Sequence, residues 1–213
     1  MTDDAEPQPG SDRALVLDLG GVVAQWVPGQ RLAELGNLSD HRPEVVDRLV
    51  FESGFDDAGE RGRFTLDEFV DELAGLLDLG RPVSDLHRAE LQRAWAFAYE
   101  LSPAVLRVAG RFPGPTALFT NNGPLLEACV GPGGQLGAVG STFDHLLFSW
   151  RLGAVKPDPE AFELAAAALD LPPERIVYFD DSQANVDAGL AAGWDAHRYT
   201  TTLDLSAVLA RLR

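Results

Sequence analysis

A parallel α/β sheet with helices on both faces, and a small all-helical segment inserted after its first strand, is the architecture this chain predicts. Three features predict it. Short continuous apolar runs recur along the chain, and most stop at polar or turn-forming residues, as strands buried on both faces do. Helix-periodic stretches lie between and after those runs, the alternation that builds parallel sheets. Residues 28–100, finally, show helical periodicity without a convincing strand. The predicted organisation is a tail of residues 1–13, a core formed by 14–27 and 101–213, and a helical cap of 28–100.

Taken in order, Met1 to Asp12 is acidic and rich in Pro and Gly, which reads as a disordered tail. It lacks the basic start and apolar stretch of a secretion signal. Ala14-Leu15-Val16-Leu17 is the first strand and ends at Asp18, ahead of Gly20-Gly21. The cap's helical stretches are marked by Val45-Val46-Leu49-Val50, by Phe69-Val70-Leu73-Leu76-Leu77, and by Leu86 to Tyr99. Thr116-Ala117-Leu118-Phe119 is the next strand and ends at Thr120-Asn121-Asn122-Gly123. His145 to Ser149 follows. Arg175-Ile176-Val177-Tyr178-Phe179 ends at Asp180-Asp181, and Asp195 to Tyr199 is a weaker fifth. Helices are expected over Pro124 to Val130, Asp158 to Leu169, Asn185 to Ala192 and Leu203 to Leu212, with Ser182 able to cap the third. The prolines of Lys156-Pro157-Asp158-Pro159 fall where a first helical turn tolerates them.

Composition excludes several classes. A net charge of −16 opposes nucleic acid, whose phosphates need a basic surface, and opposes anionic membranes. No apolar run approaches the ~20 residues of a membrane span. Cys129 is the only cysteine, so no internal disulfide forms, and a reducing cytoplasm fits. A phosphorylated small molecule stays compatible with the acidic field if local cations or a metal offset it. No feature of the sequence specifies an oligomeric state.

Ligands of parallel sheets gather at the C-terminal ends of the strands. Asp18, Thr120, Asp180 and Asp181 all fall there. Lys156 joins them as the single lysine among 17 Lys+Arg residues. A lysine is a compact point charge where arginine is a wide planar fork, so a narrow site between a phosphoryl group and a carboxylate selects it. Three crowded carboxylates require a cation, and hard oxygen donors without a His or Cys cluster suit Mg²⁺. The Thr120 hydroxyl and the backbone amides that follow, from Asn121 onward, can hold phosphoryl oxygens. Lys156 offsets both phosphoryl charge and Asp18, leaving Asp18 to attack phosphorus and form an aspartyl-phosphate that water cleaves.

This constellation resembles the haloacid dehalogenase superfamily of phosphohydrolases. The matching elements are Leu17-Asp18-Leu19-Gly20-Gly21-Val22-Val23, Phe119-Thr120-Asn121-Asn122, Lys156-Pro157-Asp158-Pro159 and Phe179-Asp180-Asp181-Ser182, in the family's order over about residues 14 to 200. Ala188 to Gly193 is similar to the closing helix, and Gly59 to Phe69 is typical of the family's small caps. The resemblance implies a Rossmann-like core, Mg²⁺ held by Asp18, the Gly20 carbonyl, Asp180 and Asp181, catalysis by Asp18 and Lys156, and substrate held by Thr120, Asn121 and Lys156.

One position departs from the pattern. Phosphatases of the family usually carry a second aspartate two residues after the nucleophile, as general acid and base, and here that position is Gly20. Such a group is worth ~10²–10⁴-fold in rate. Either the protein hydrolyses a small phosphorylated metabolite with the proton supplied otherwise, or it is a catalytically silent phosphate-binding or regulatory protein. A bacterial subgroup that includes an α-glucose-1-phosphate phosphatase is similar, with glycine at this place, which favours activity and a sugar phosphate. A phosphoacceptor signalling domain would carry its acidic pair first, not last. A phosphonate-cleaving relative would need a cap lysine, a dehalogenase would leave Asp180-Asp181 unexplained, and a mutase would want the missing aspartate. Asn185 either hydrogen-bonds the site or sits in a first helical turn, and Trp26 either walls the pocket or packs. Arg61 and Arg63 read as solvated, Trp95, Phe97 and Tyr99 as packing residues, and His41, His87, His145 and His197 are scattered without ligand spacing.

Overall fold

Residues 12–211 are described by the computed structural model. Most of the predicted tail, residues 1–11, lies outside the described residues. The two that follow are tied to the core: Arg13 pairs with Asp195 at 2.8 Å, and Asp12 with Arg175 at 3.6 Å.

Five strands form one parallel sheet: β1 (Ala14–Leu17), β4 (Thr116–Thr120), β5 (His145–Phe148), β6 (Ile176–Asp180) and β7 (Asp195–Arg198), in the spatial order β5-β4-β1-β6-β7. The fully buried strands, β1, β4 and β6, are central and carry no exposed residue. Alternate side chains feed two separate cores. Leu15, Leu17, Leu118, Val177 and Phe179 enter one, while Val16, Ala117, Phe119, Ile176 and Tyr178 enter the other, as the two-residue period of a pleated strand requires. The order doubles back at β1, with β4 on one side and β6 on the other. That switch point leaves a crevice at the ends of β4, β1 and β6, where Thr120, Asp18 and Asp180 stand.

Helices Pro124–Val130, Pro159–Leu169, Gln183–Ala191 and Thr202–Arg211 fall close to where the periodicity predicts them. Ser182 does precede Gln183–Ala191, but its side chain makes no capping bond. Strand edges differ slightly from expectation. Arg175 ends a short 3₁₀ turn over Pro173–Arg175, and Ser149 opens helix Ser149–Leu152 instead of closing β5.

The larger difference is a second sheet. β2 (Ala24–Trp26) pairs antiparallel with β3 (Tyr99–Leu101), in register Ala24 with Leu101 and Trp26 with Tyr99. The stretch read as strand-free therefore ends in a strand. All helices between Pro28 and Ala96 enter and leave through this two-stranded neck. Among them, Pro43–Val46 runs on as a π-helical turn over Asp47–Glu52. Helix Leu66–Leu76 begins with a full capping box, Thr65 and Glu68 exchanging side-chain-to-backbone bonds. Phe51, Phe55, Phe64, Phe69 and Trp95 make the aromatic centre of the insert. Helix Asp85–Ala96 packs on both Pro28–Ser39 and Pro124–Val130, joining insert and sheet through one apolar cluster.

Candidate active site

The loop after β1 brings Asp18 to the sheet's edge. The Asp18 N–H donates to the Phe179 carbonyl at 3.0 Å, so sheet pairing persists one residue past the strand. The chain then turns sharply, with Ala24 N–H bonding the Leu19 carbonyl at 2.8 Å. Gly21 makes the turn feasible. Its φ is +78°, and a Cβ there would lie 2.2 Å from Asp181 Oδ2, so only glycine lets Asp181 close against the loop.

Lys156 is the hub. Its side chain is 1% exposed, and Nζ lies 2.7 Å from Asp18 Oδ1, 2.8 Å from Asp180 Oδ2, 2.8 Å from the Phe119 carbonyl and 3.2 Å from the Tyr178 hydroxyl. Asn121 positions it. The Asn121 amide donates to the Lys156 carbonyl and accepts from the Lys156 N–H, both at 2.8 Å. The side chain of Asn121 is thus spent on Lys156, and its backbone is the part left to face a ligand. Asp180 is fully buried and saturated. Besides Lys156 it accepts from the Tyr178 hydroxyl in a very short bond, from Ser182 N–H at 2.8 Å, and from Asn185 Nδ2 at 3.0 and 3.1 Å. Asp181 is exposed beside it. One oxygen each from Asp18, Asp180 and Asp181 lie within 4.8 Å of one another, the one such carboxylate, His or Cys triplet among the described residues.

The electrostatics follow from this crowding. The Asp18 carboxyl is raised to about 6, because the lift from burial, with a further push from Asp180, outweighs the pull of Lys156. Burial opposes ionisation of Asp180 as well, but Lys156 and its hydrogen bonds outweigh it and hold this carboxyl below the usual range. Asp181 is raised, by burial and then by Asp180. Burial disfavours charge on Lys156, yet the two carboxylates leave it more firmly protonated than a free lysine. One cation thus serves three acids, and the set is short of positive charge. Three hard oxygen donors in that state fit a divalent cation such as Mg²⁺.

On the other side of the crevice, buried Thr120 accepts from Asn122 Nδ2 at 2.8 Å, which leaves its own hydroxyl proton to donate. Asn122 N–H donates to Ser149 Oγ at 3.1 Å, and Ser149 donates to the Glu60 carbonyl of the insert at 2.8 Å. Tyr99 donates to Asn122 Oδ1 at 3.0 Å.

The residues expected at the site therefore converge: Asp18, Thr120, Asn121, Lys156, Asp180 and Asp181, with Gly20 in the loop beside Asp18. Asn185 settles as an Asp180 partner. Trp26 lies in β2 with its ring 4.8 Å from that of Tyr99, and it is exposed. Arg61 pairs with Asp57 and Asp158 at the surface. Tyr178, Asn122 and Ser149 were not singled out by sequence. Tyr178 had a signal, since two residues before Asp180 in a strand places it on the same face. Ser149 had none, because only the β4–β5 pairing brings it to Asn122.

A family model for haloacid dehalogenase-like hydrolases matches residues 13–193, and the chain belongs to that family. Among curated relatives, Phosphatase MT3486 of Mycobacterium tuberculosis is 32% identical over 62% of this chain and 60% of its own length. A "Phosphorylated carbohydrates phosphatase" of Thermotoga maritima is 39% identical over 24% of each chain. The chain thus spans less than two thirds of these relatives' lengths. A haloacid dehalogenase family enzyme of Bacteroides thetaiotaomicron has the same fold, with a TM-score of 0.73 at 20% identity, covering 92% of this chain and 97% of that one. A further structure of that enzyme, with magnesium and inorganic phosphate, superposes with a TM-score of 0.67 at 19% identity, over 88% and 93% of the two chains. No helix among the described residues is long and apolar enough to cross a membrane.

Proposed function

We propose that this protein is a Mg²⁺-dependent phosphatase acting on a small phosphorylated metabolite, a sugar phosphate in the finer reading, through an aspartyl-phosphate on Asp18. The observation that carries the proposal is Lys156 Nζ, buried between Asp18 and Asp180 with Asp181 alongside. The phosphatase names of the partial relatives and the magnesium–phosphate complex of the fold neighbour support it.

An Asp18 oxygen attacks phosphorus, an O–P bond forms, and the bond from phosphorus to the leaving oxygen breaks. The leaving oxygen takes its proton from water, since residue 20 is glycine. Water then attacks the phosphorus of the aspartyl-phosphate, releasing inorganic phosphate and restoring the carboxylate. The Lys156 ammonium and the hydroxyl of Thr120, with the backbone amides from Asn121 onward, hold the phosphoryl oxygens as charge spreads over them. Asp18, Asp180 and Asp181, with the Gly20 carbonyl, would hold Mg²⁺, which supplies further neutralisation of phosphoryl charge. The insert over residues 28–100 serves as the cap that closes on the leaving group.

The test is phosphate release from p-nitrophenyl phosphate with Mg²⁺ and with EDTA, beside Asp18→Asn. Release that survives EDTA, or that survives Asp18→Asn, overturns the proposal. Gly20 favours one second reading, a silent phosphate-ligand-binding or regulatory protein. Saturable binding of phosphorylated ligands without turnover across a broad panel would establish that instead.

A further inference from the structure

A lysine ammonium has three protons to donate, and four acceptors crowd that of Lys156. Asp18 Oδ1 lies at 2.7 Å, the Phe119 carbonyl and Asp180 Oδ2 at 2.8 Å, and the Tyr178 hydroxyl at 3.2 Å. The hydroxyl is the acceptor left over. It is the most distant of the four, and it gives its own proton to Asp180 Oδ2. Lys156 therefore has no spare proton, and its side chain is 1% exposed. An arriving phosphoryl oxygen gains a bond from Nζ only if one of the three nearer acceptors yields one.

The three differ in what yielding costs. Asp18 has no other side-chain donor among the described residues, so losing Lys156 leaves its carboxylate poorly served. The Phe119 carbonyl is fixed in the central sheet. Asp180 alone is supplied several times over: without Lys156 it keeps the Tyr178 hydroxyl, Ser182 N–H at 2.8 Å and Asn185 Nδ2 at 3.0 and 3.1 Å. Of these, only Tyr178 serves the same oxygen as Lys156 from inside the protein. Its ring is fully buried, held by Phe119, Phe162 and Trp194 at 6.0, 5.9 and 5.5 Å, so the hydroxyl has a set place. Packing alone needs no hydroxyl there: Ile176, two residues earlier on the same face of β6, is apolar and equally buried.

We infer that Tyr178 is a positioning residue whose hydroxyl keeps Asp180 supplied, so that Lys156 can turn one proton from Asp180 to the phosphoryl group. This rests on the phosphatase reading for the identity of the arriving group. Tyr178 touches no ligand and acts through Lys156 and Asp180. With phenylalanine in its place, Asp180 Oδ2 would depend on Lys156, and the ammonium would be held back from the ligand. A hydrogen bond to a charged group is worth about tenfold to a hundredfold in an equilibrium constant, which sets the size of the effect on phosphate affinity.

The experiment measures the dissociation constant of inorganic phosphate with Mg²⁺, by thermal-shift titration, beside p-nitrophenyl phosphate turnover. Wild type is compared with Tyr178→Phe, which removes one oxygen, and with Phe162→Leu, which loosens the packing around the Tyr178 ring but removes no donor. Tyr178→Phe is expected to weaken phosphate binding at least about tenfold. Phe162→Leu is expected to lower Tm while leaving the phosphate constant unchanged, a split that a purely structural role for Tyr178 would not produce. Asn185→Ala, which removes another donor to Asp180 at a half-buried position, carries the test in the same direction if Tyr178→Phe does not fold. A phosphate constant that moves less than about threefold in Tyr178→Phe, below the worth of such a bond, overturns the inference. Equal weakening in Phe162→Leu overturns it too. Wild-type aryl phosphate turnover beside either result leaves the phosphatase reading standing. Phosphate binding that depends on Tyr178 without any turnover sustains the exchange and overturns the phosphatase reading, and a wild type that neither binds phosphate nor turns over overturns both.

Discussion

Replacing Gly20 by aspartate should create the proton donor this site lacks. The backbone permits it: φ at Gly20 is outside the left-handed region, and a Cβ there meets Trp26 Cβ at 3.8 Å and Tyr99 Cε1 at 4.0 Å, both ordinary van der Waals contacts. Losing glycine's freedom in the unfolded chain also offsets part of any folding cost. The new carboxyl would join Asp18, Asp180 and Asp181, served by Lys156 alone. Like charges so close favour the protonated acid, the form needed to protonate a leaving oxygen. General acid catalysis is worth ~10²–10⁴-fold, and a newly built group should realise the lower end, ~10²-fold or about 2.7 kcal/mol of barrier. The gain should appear with poor leaving groups. kcat/KM for hexyl phosphate at pH 7 with Mg²⁺ is expected to rise about 10²-fold, and that for p-nitrophenyl phosphate, whose leaving oxygen needs no proton, to rise far less. A Gly20→Asp protein with unchanged thermal unfolding and no gain on hexyl phosphate would refute the reasoning, because another group would already supply the proton.

Lys156→Met should remove the counter-charge of two buried carboxylates, costing about 3–5 kcal/mol in denaturant unfolding as well as all turnover; a loss under ~1 kcal/mol would show that the carboxylates do not depend on it. Mg²⁺ at a hundred times its dissociation constant should stabilise the folded protein by about 2.7 kcal/mol, seen as a rise in Tm that EDTA reverses and Asp181→Asn weakens. No Tm response to Mg²⁺ would argue against the three-carboxylate site. Glu60 predicts a pH dependence of stability. Its folded-state pKa of about 8 lies above the ordinary 4.5, so the folded protein holds a proton that the unfolded chain releases. That contribution is complete below about pH 4.5 and is lost as pH rises to 8. Glu60→Gln should flatten the decline in Tm over this window, and an unchanged slope would place the titration elsewhere.

Much of the core and the reacting residues could be read from the chain because both depend on local pattern. Ala14 to Leu17, Thr116 to Phe119 and Ile176 to Phe179 are apolar because both faces of a parallel strand are covered, and Asp18, Thr120 and Asp180 follow because ligand groups sit at such strand ends. Lys156 declared itself by being the only lysine. What tertiary structure alone decided involves partners remote in sequence and elements too short for a period. Ala24–Trp26 and Tyr99–Leu101 have three residues each, and nothing in either predicts the other. Tyr178 reads only as strand, and Asn121 as a substrate-holding residue, until Lys156 arrives against them and takes up the Asn121 side chain. Arg31 looks like any helical arginine, since the rings of Trp26, Trp95 and Tyr99 that surround it come from three separate elements. Sequence sets which residues are apolar, charged or turn-forming at each step of the chain; only packing sets which of them lose water together, and that loss of water gives this site its unmet charges.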